Sequence, residues 1–201
     1  MIYLVLGPGR TGSILLANMI QSALSIEFIG IPNFTNNSEA EQWVSETIDY
    51  SKDYVIHAHS KFIASAVDPT KTILIQSKRH NLLNVILSEQ IAIQTRQWNS
   101  YTQMVPKPFT VSKSQFHRRL QRLTSWYDDI DTTRPWHSAV ELYYEDLVKH
   151  GHAIVAETLG MTSYDITAPI TGKQSLHTYQ DWISNLDELT EFYESLNTPS
   201  V

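Results

Sequence analysis

Apolar and polar positions alternate along the chain in two rhythms. Short apolar runs rich in Val and Ile stand between longer stretches whose apolar residues recur at helical spacing. Ile2 to Leu6 reads as a short buried strand, followed by a glycine-rich turn and a helix over Ser13 to Leu24. Ile26 to Ile29 reads as a second strand, and Ser38 with Glu41 forms a capping-box pattern that opens a helix to about Lys52. Tyr54 to His57 and Thr72 to Gln76 are two further strands, too short for helices. Asn81 to Arg96 is apolar almost all round, as suits a helix packed on a sheet. Trp98 to Val111, with Pro106 and Pro108, reads as a loop, and Ser112 to Ile130 as a basic amphipathic helix. Ala139 to Tyr143 is a strand, Leu147 to Leu159 a helix stopped by Gly160, and a final helix runs from about Tyr179 to Leu196. Strands and helices alternating in this way predict an α/β fold, a parallel sheet with helices on both faces.

Length fits this picture with one core: 201 residues, 42% hydrophobic, predict a single domain over 1–201. No internal repeat, low-complexity tract or linker marks a boundary. The absence of cysteine removes disulfides, thiolate metal sites and cysteine nucleophiles, and makes a cytoplasmic location the simplest expectation. The apolar opening MIYLVL carries no basic flank and falls far short of the ~20 apolar residues of a membrane span, so no membrane association is expected.

Charge changes the picture more. The chain carries a net −6, yet residues 71–122 hold nine Lys and Arg against one acid, Glu89, for a local +8. The rest sums to −14. Such a block suits a polyanion, a phosphorylated small molecule or a solvated helix face. A nucleic-acid binder is more often basic overall, so no nucleic acid is expected as a partner.

The stretch IYLVLGPGRTGSILL holds the most chemistry. A strand runs into a turn with Gly7, Gly9 and Gly12 and then into a helix, the context in which backbone N–H groups cradle an anion. Gly7 and Gly12 have the spacing of a Walker A loop, but Ser13 stands at the lysine position and Ile14 at the metal-holding Ser/Thr position. The cation lies within the loop instead, as Arg10. An ordinary strand-to-helix turn is the bland alternative.

At this point the chain resembles the sulfotransferases that use 3′-phosphoadenosine 5′-phosphosulfate (PAPS), of the bacterial and marine type. Their 5′-phosphosulfate loop reads roughly P-[RK]-[ST]-G-[ST]-[ST]-x-L after the first strand, and GRTGSILL is similar through Arg10, Thr11, Gly12 and Ser13. Their 3′-phosphate motif, an Arg near a helix start and a Ser eight or nine residues on, resembles ILIQSKRHNLLNVILSEQIA with Arg79 and Ser88. YYEDL at Tyr143 to Leu147 is similar to the YEDL that ends a strand in this family, and ITGKQ places Lys173 where the family has a basic loop closing over the nucleotide. The departures are Ile14 in place of a hydroxyl, His57 in place of a lysine common before the acceptor-side histidine, and the absence of the aromatic residue that often ends the loop.

The resemblance implies a P-loop NTPase-like sulfotransferase architecture and a metal-independent, in-line transfer of a sulfuryl group from PAPS to a hydroxyl of a carbohydrate or small metabolite. It assigns the 5′ site to Gly9, Arg10, Thr11, Gly12 and Ser13, and the 3′-phosphate to Arg79, Ser88 and Lys173. Arg10 would stabilise charge on the leaving phosphate. No metal is expected: His57 and His59, and His150 and His152, are spaced by two with no third ligand near in sequence. For the general base the resemblance favours His59, which follows a strand at the edge where open α/β sheets bind ligands, and imidazole accepts protons near neutral pH. The rival is a Glu base after the first helix. In that region the chain has GIPNFT without an acid, preceded by Glu27 on the strand predicted there. The aromatic residues Trp98, Tyr101 and Phe109 could lie over an acceptor or simply pack. Two other classes stay open: a P-loop nucleotide-dependent kinase, and a non-enzymatic module that binds a polyanion through residues 71–122. The sequence does not set the oligomeric state.

Overall fold

The computed structural model describes residues 1–97, 105–160 and 178–197. Lys173, Trp98 and Tyr101 lie outside the described residues. By its contacts the chain forms two compact units, one of Met1–His80 with the described part of Trp126–Thr171, the other of Asn81–Ser125 with the described part of Gly172–Val201.

The first unit is built on five strands: β1 (Ile2–Leu6), β2 (Glu27–Gly30), β3 (Tyr54–Ala58), β4 (Thr72–Lys78) and β5 (Ser138–Tyr143). All neighbours are parallel, in the order β2-β3-β1-β4-β5. The expected α/β class and parallel sheet are therefore the ones the chain adopts, with the strand that precedes the glycine loop at its centre. β1 lies at the centre because it is apolar at every position. Ile2, Leu4 and Leu6 face one cluster and Val5 the other, all buried. β3 and β4 repeat the alternation, with Ile56 and Leu74 on the first side and Val55 and Ile75 on the second.

Helices cover both sides. α1 (Ser13–Leu24) places Leu16, Ala17, Met19 and Ile20 in the second cluster. Leu147 of α6 (Tyr144–His150) and Val155 of α7 (His152–Thr158) join them there. α2 (Asn37–Thr47) and α3 (Phe62–Ala66) pack Val44, Ile63 and Ala64 into the first cluster. Parallel register aligns Leu6 with Ala58 and Gln76, and Lys78 with Tyr143, so the loops after β1, β3, β4 and β5 all leave from the carboxyl edge of the sheet. That edge is where open α/β sheets bind ligands.

The second unit contains α4 (Leu82–Thr95), most of α5 (Lys113–Asp128), α8 (Tyr179–Trp182) and α9 (Leu186–Asn197). Fully buried Phe116 meets Phe192 and Tyr193 edge-on at 6.2 Å each. Asn185 exchanges two hydrogen bonds with the backbone of Val111. Among the described residues no helix is long and apolar enough to cross a membrane.

Several boundaries differ from expectation for local reasons. α2 starts two residues early because Asn36, not Ser38, caps it: its Oδ1 accepts from Glu39 N, and Glu39 in turn accepts from Thr35. It ends at Thr47, since Asp49 folds back onto Ser51 N in a turn rather than extending the helix to Lys52. The helix expected over Leu147 to Leu159 begins earlier and breaks at Gly151, whose φ of 60° ends α6 and starts α7. The final helix likewise starts with a Thr178–Asp181 capping box, stops at Trp182, and resumes at Leu186. α3 and a 3-10 turn at Pro69–Lys71 have no counterpart in the sequence reading.

Candidate active site

The loop after β1 is held by its carbonyls. The Gly7 carbonyl accepts from His59 Nδ1 at 2.7 Å, the Pro8 carbonyl from Thr11 Oγ1 at 2.8 Å, and the Thr11 carbonyl from Ser77 Oγ at 3.0 Å. The Gly12 carbonyl accepts the first helical bond from Leu16 N. In a planar trans peptide the N–H points opposite to the C=O. With those carbonyls turned toward the protein, the N–H groups of Gly9, Gly12 and Ser13 turn the other way. N–H groups so placed between a strand and a helix start are the kind of donors that can hold an anion.

Two loop residues adopt left-handed backbone: Arg10 at φ 72° and Gly12 at φ 87°. For Arg10 this costs roughly 1–2 kcal/mol, a strain retained in the one cation of the loop. At Gly12 space is also closed, because a Cβ there would lie 2.4 Å from Cδ2 of Tyr144.

Two histidines clip the loop at its two ends. His57, on β3, is buried, and its Nε2 lies 2.9 Å from Ser13 Oγ at the start of α1. Burial, aided by neighbouring His59, pushes the His57 imidazolium down to about 4, so the ring is neutral at pH 7. His59 follows two residues later, its ring edge-on to His57 at 4.6 Å. A carbonyl can only accept, so the His59 bond to Gly7 places that ring's proton on Nδ1 and leaves the lone pair on Nε2.

Across β1, the end of β4 presents three consecutive basic residues. Each is met by the corner where β5 turns into α6. Lys78 pairs with Glu141 and lies over the Tyr127 ring. The Arg79 guanidinium lies 4.0 Å from the centroid of the Tyr144 ring. His80 stacks on Tyr143 at 4.0 Å, donates its backbone N–H to Glu145, and stands 3.8 Å from Asp146. Arg79 Nε is buried without a hydrogen-bond partner among the described residues. An unmet buried donor costs about 1–3 kcal/mol. Tyr127 donates to the Ser77 carbonyl at 3.1 Å, and burial pushes its phenol well above the ordinary range.

The structure thus brings Gly9, Arg10, Thr11, Gly12, Ser13, His59 and Arg79 to the carboxyl edge of one sheet. The Thr11 and Ser13 hydroxyls are engaged with the Pro8 carbonyl and His57. Ser88 is half-buried in the middle of α4, in the second unit. Glu27 opens β2 in register with Tyr54 and Ile2, at the amino edge of the strands and the far end from the loop. His150 is exposed and His152 buried, so the two point apart. Four residues of the site were not read from sequence: His57 as a partner of Ser13, Ser77, Tyr127, and Tyr144 as a support of Arg79. Tyr144 lies within the YYEDL motif and His57 stands where the resemblance expects a lysine, but a buried serine within a strand gives no signal of its own.

No family model and no curated protein matches the chain. Among solved structures it is similar to an unliganded sugar kinase from Janibacter sp., at a TM-score of 0.46 and 11% identity, over 80% of this chain and 95% of that one.

Proposed function

We propose that the chain is a metal-independent sulfotransferase that moves a sulfuryl group from 3′-phosphoadenosine 5′-phosphosulfate to a hydroxyl of a carbohydrate or small metabolite. The observation that carries this reading is the first turn of α1. An ATP-using loop keeps a lysine and a metal-holding hydroxyl there. Here Ser13 is buried with its hydroxyl turned to a neutral histidine, and Ile14 presents an exposed hydrocarbon side chain. A triphosphate with Mg²⁺ finds neither counter-charge nor metal ligand at those two positions. A phosphosulfate needs neither.

The backbone donors of Gly9, Thr11, Gly12 and Ser13 hold the 5′ oxygens, and Arg10 stabilises the charge that grows on the leaving phosphate. Arg79 selects the 3′-phosphate. His59 Nε2 takes the proton of the acceptor hydroxyl as its oxygen attacks sulfur. The bond between sulfur and the phosphate oxygen breaks, and 3′,5′-adenosine bisphosphate leaves. The Gly7 carbonyl supports this role by fixing the His59 tautomer that has its lone pair on Nε2.

Calorimetric titration with 3′,5′-adenosine bisphosphate tests the reading: one-to-one binding without Mg²⁺ is expected. Binding and turnover that require ATP with Mg²⁺ would make the chain a kinase. Steeply salt-dependent binding of oligonucleotides would make it a polyanion module instead.

A further inference from the structure

Tyr144 touches both anion-directed elements of the first unit. One face of its ring lies under the Arg79 guanidinium at 4.0 Å, and its Cδ2 edge fills the space that a Cβ on Gly12 would occupy. The ring therefore stands between the loop and Arg79 in direct contact with each. Two further contacts fix the same corner: Tyr143 stacks on His80, and Glu145 accepts the His80 backbone N–H. The peptide after Arg79 is thus held independently of the guanidinium.

We infer that Tyr144 is a positioning residue, holding the Arg79 guanidinium at a fixed place relative to the loop so that the site is preset for a ligand with two separate anionic groups. A long flexible arginine normally loses rotamer freedom when it grips an anion. Here stacking removes that freedom beforehand. The buried Nε has no acceptor among the described residues, and the contact that holds the guanidinium is the face of the Tyr144 ring. A carboxylate partner would neutralise the charge that an anionic ligand needs, whereas an aromatic face orients the guanidinium and leaves its charge in place. The identity of the second anionic group as a 3′-phosphate rests on the sulfotransferase reading; the positioning of Arg79 does not.

The experiment has an arm for each. In ¹⁵N-labelled protein without ligand, the Arg79 Nε–H resonance, assigned by its loss in Arg79→Lys, is expected at an upfield, ring-shifted position. It should be kept in Tyr144→Phe and return to the ordinary arginine position in Tyr144→Leu. In titrations, Tyr144→Leu should weaken 3′,5′-adenosine bisphosphate about tenfold and adenosine 5′-phosphate by less than about twofold, with Tyr144→Phe close to wild type for both. An unshifted Arg79 resonance in the wild-type protein overturns the inference, and needs no variant to fold. So does an equal loss of both ligands in Tyr144→Leu, or bisphosphate binding unchanged by it. If the wild-type protein does not prefer the bisphosphate, the 3′-phosphate assignment fails, and the resonance alone decides the positioning: shifted supports it, unshifted overturns it.

Discussion

The loop after β1 and the segment after β4 leave the same edge of the sheet, and they are held by opposite means. The loop is fixed through its main chain: the carbonyls of Gly7, Pro8 and Thr11 each accept from a side chain, and two of those donors, His59 and Ser77, come from neighbouring strands or their ends. The segment Lys78 to His80 is fixed mainly through its side chains, by an acid and two aromatic rings of the β5–α6 corner, with one backbone bond from His80 N–H to Glu145. A site held by its main chain keeps its shape when loop side chains change and fails when a distant donor is lost. A site held by its side chains keeps its backbone and loses the direction of a charge. Substitutions on the two sides should therefore fail differently.

The largest effect is expected at His59, which holds the loop with one ring nitrogen and, in the proposed reaction, takes the proton with the other. His59→Asn keeps a donor near the Nδ1 position but has nothing at Nε2. Turnover should fall about 10²–10⁴-fold, with bisphosphate affinity close to wild type by calorimetry. His59→Ala removes both nitrogens and should also weaken the bisphosphate. Comparable turnover in the Asn variant and wild type would sink His59 as the base. Glu27 does not replace it, because β2 places that residue at the opposite edge of the sheet.

His57 tests the same clip through pH. Its native imidazolium is pushed down to about 4 by burial, while in the unfolded chain it titrates at the ordinary ~6.5. Between those values the unfolded state binds a proton that the native state refuses, so stability rises with pH across the window and is lost as pH falls. From pH 7 to about pH 4.5 the loss from this group is roughly 2–3 kcal/mol. His57→Gln cannot titrate, so its stability from urea unfolding should fall by that much less over the same range. Parallel pH profiles for the two proteins would show that His57 is not the neutral buried partner of Ser13.

Arg79 tests the other side. Arg79→Ala should weaken 3′,5′-adenosine bisphosphate by ~1.5–3 kcal/mol, as for hydrogen bonds to charged groups, and leave adenosine 5′-phosphate nearly unchanged. Equal weakening of both ligands in the same titration would make Arg79 a structural residue.

The contrast also explains what the sequence made legible. The strands were readable because β1, β3 and β4 are short runs of Val, Ile and Leu, and the loop because glycines between a strand and a helix need no distant partner to be recognised. The helix starting at Asn37 was misplaced because two cap patterns overlap, Asn36 with Glu39 and Ser38 with Glu41. The break at Gly151 was hidden inside an apolar run that continues on both sides of it. The supports of the site were hidden for another reason. Ser13 meets His57 across 44 positions, Gly7 meets His59 across 52, and Thr11 meets Ser77 across 66. Those distances close only when β1 is placed between β3 and β4, and no local pattern of residues announces that order.

Ser77 belongs to both sides, and it gives the smallest and sharpest test. Its hydroxyl holds the Thr11 carbonyl of the loop, and its own carbonyl accepts from Tyr127 at the head of the basic segment. Ser77→Ala removes only the first of these contacts, because the backbone carbonyl remains. The Thr11 carbonyl then loses its donor in a buried position, which costs about 1–2 kcal/mol of stability in chemical unfolding. The loss should reach ligand binding through the loop alone. Both adenosine 5′-phosphate and the 3′,5′-bisphosphate should weaken by the same small factor, so that their affinity ratio stays at the wild-type value, whereas in Arg79→Ala that ratio collapses. A ratio that falls in Ser77→Ala as well would mean that the loop and the basic segment are one coupled structure and not two supports for two anionic groups.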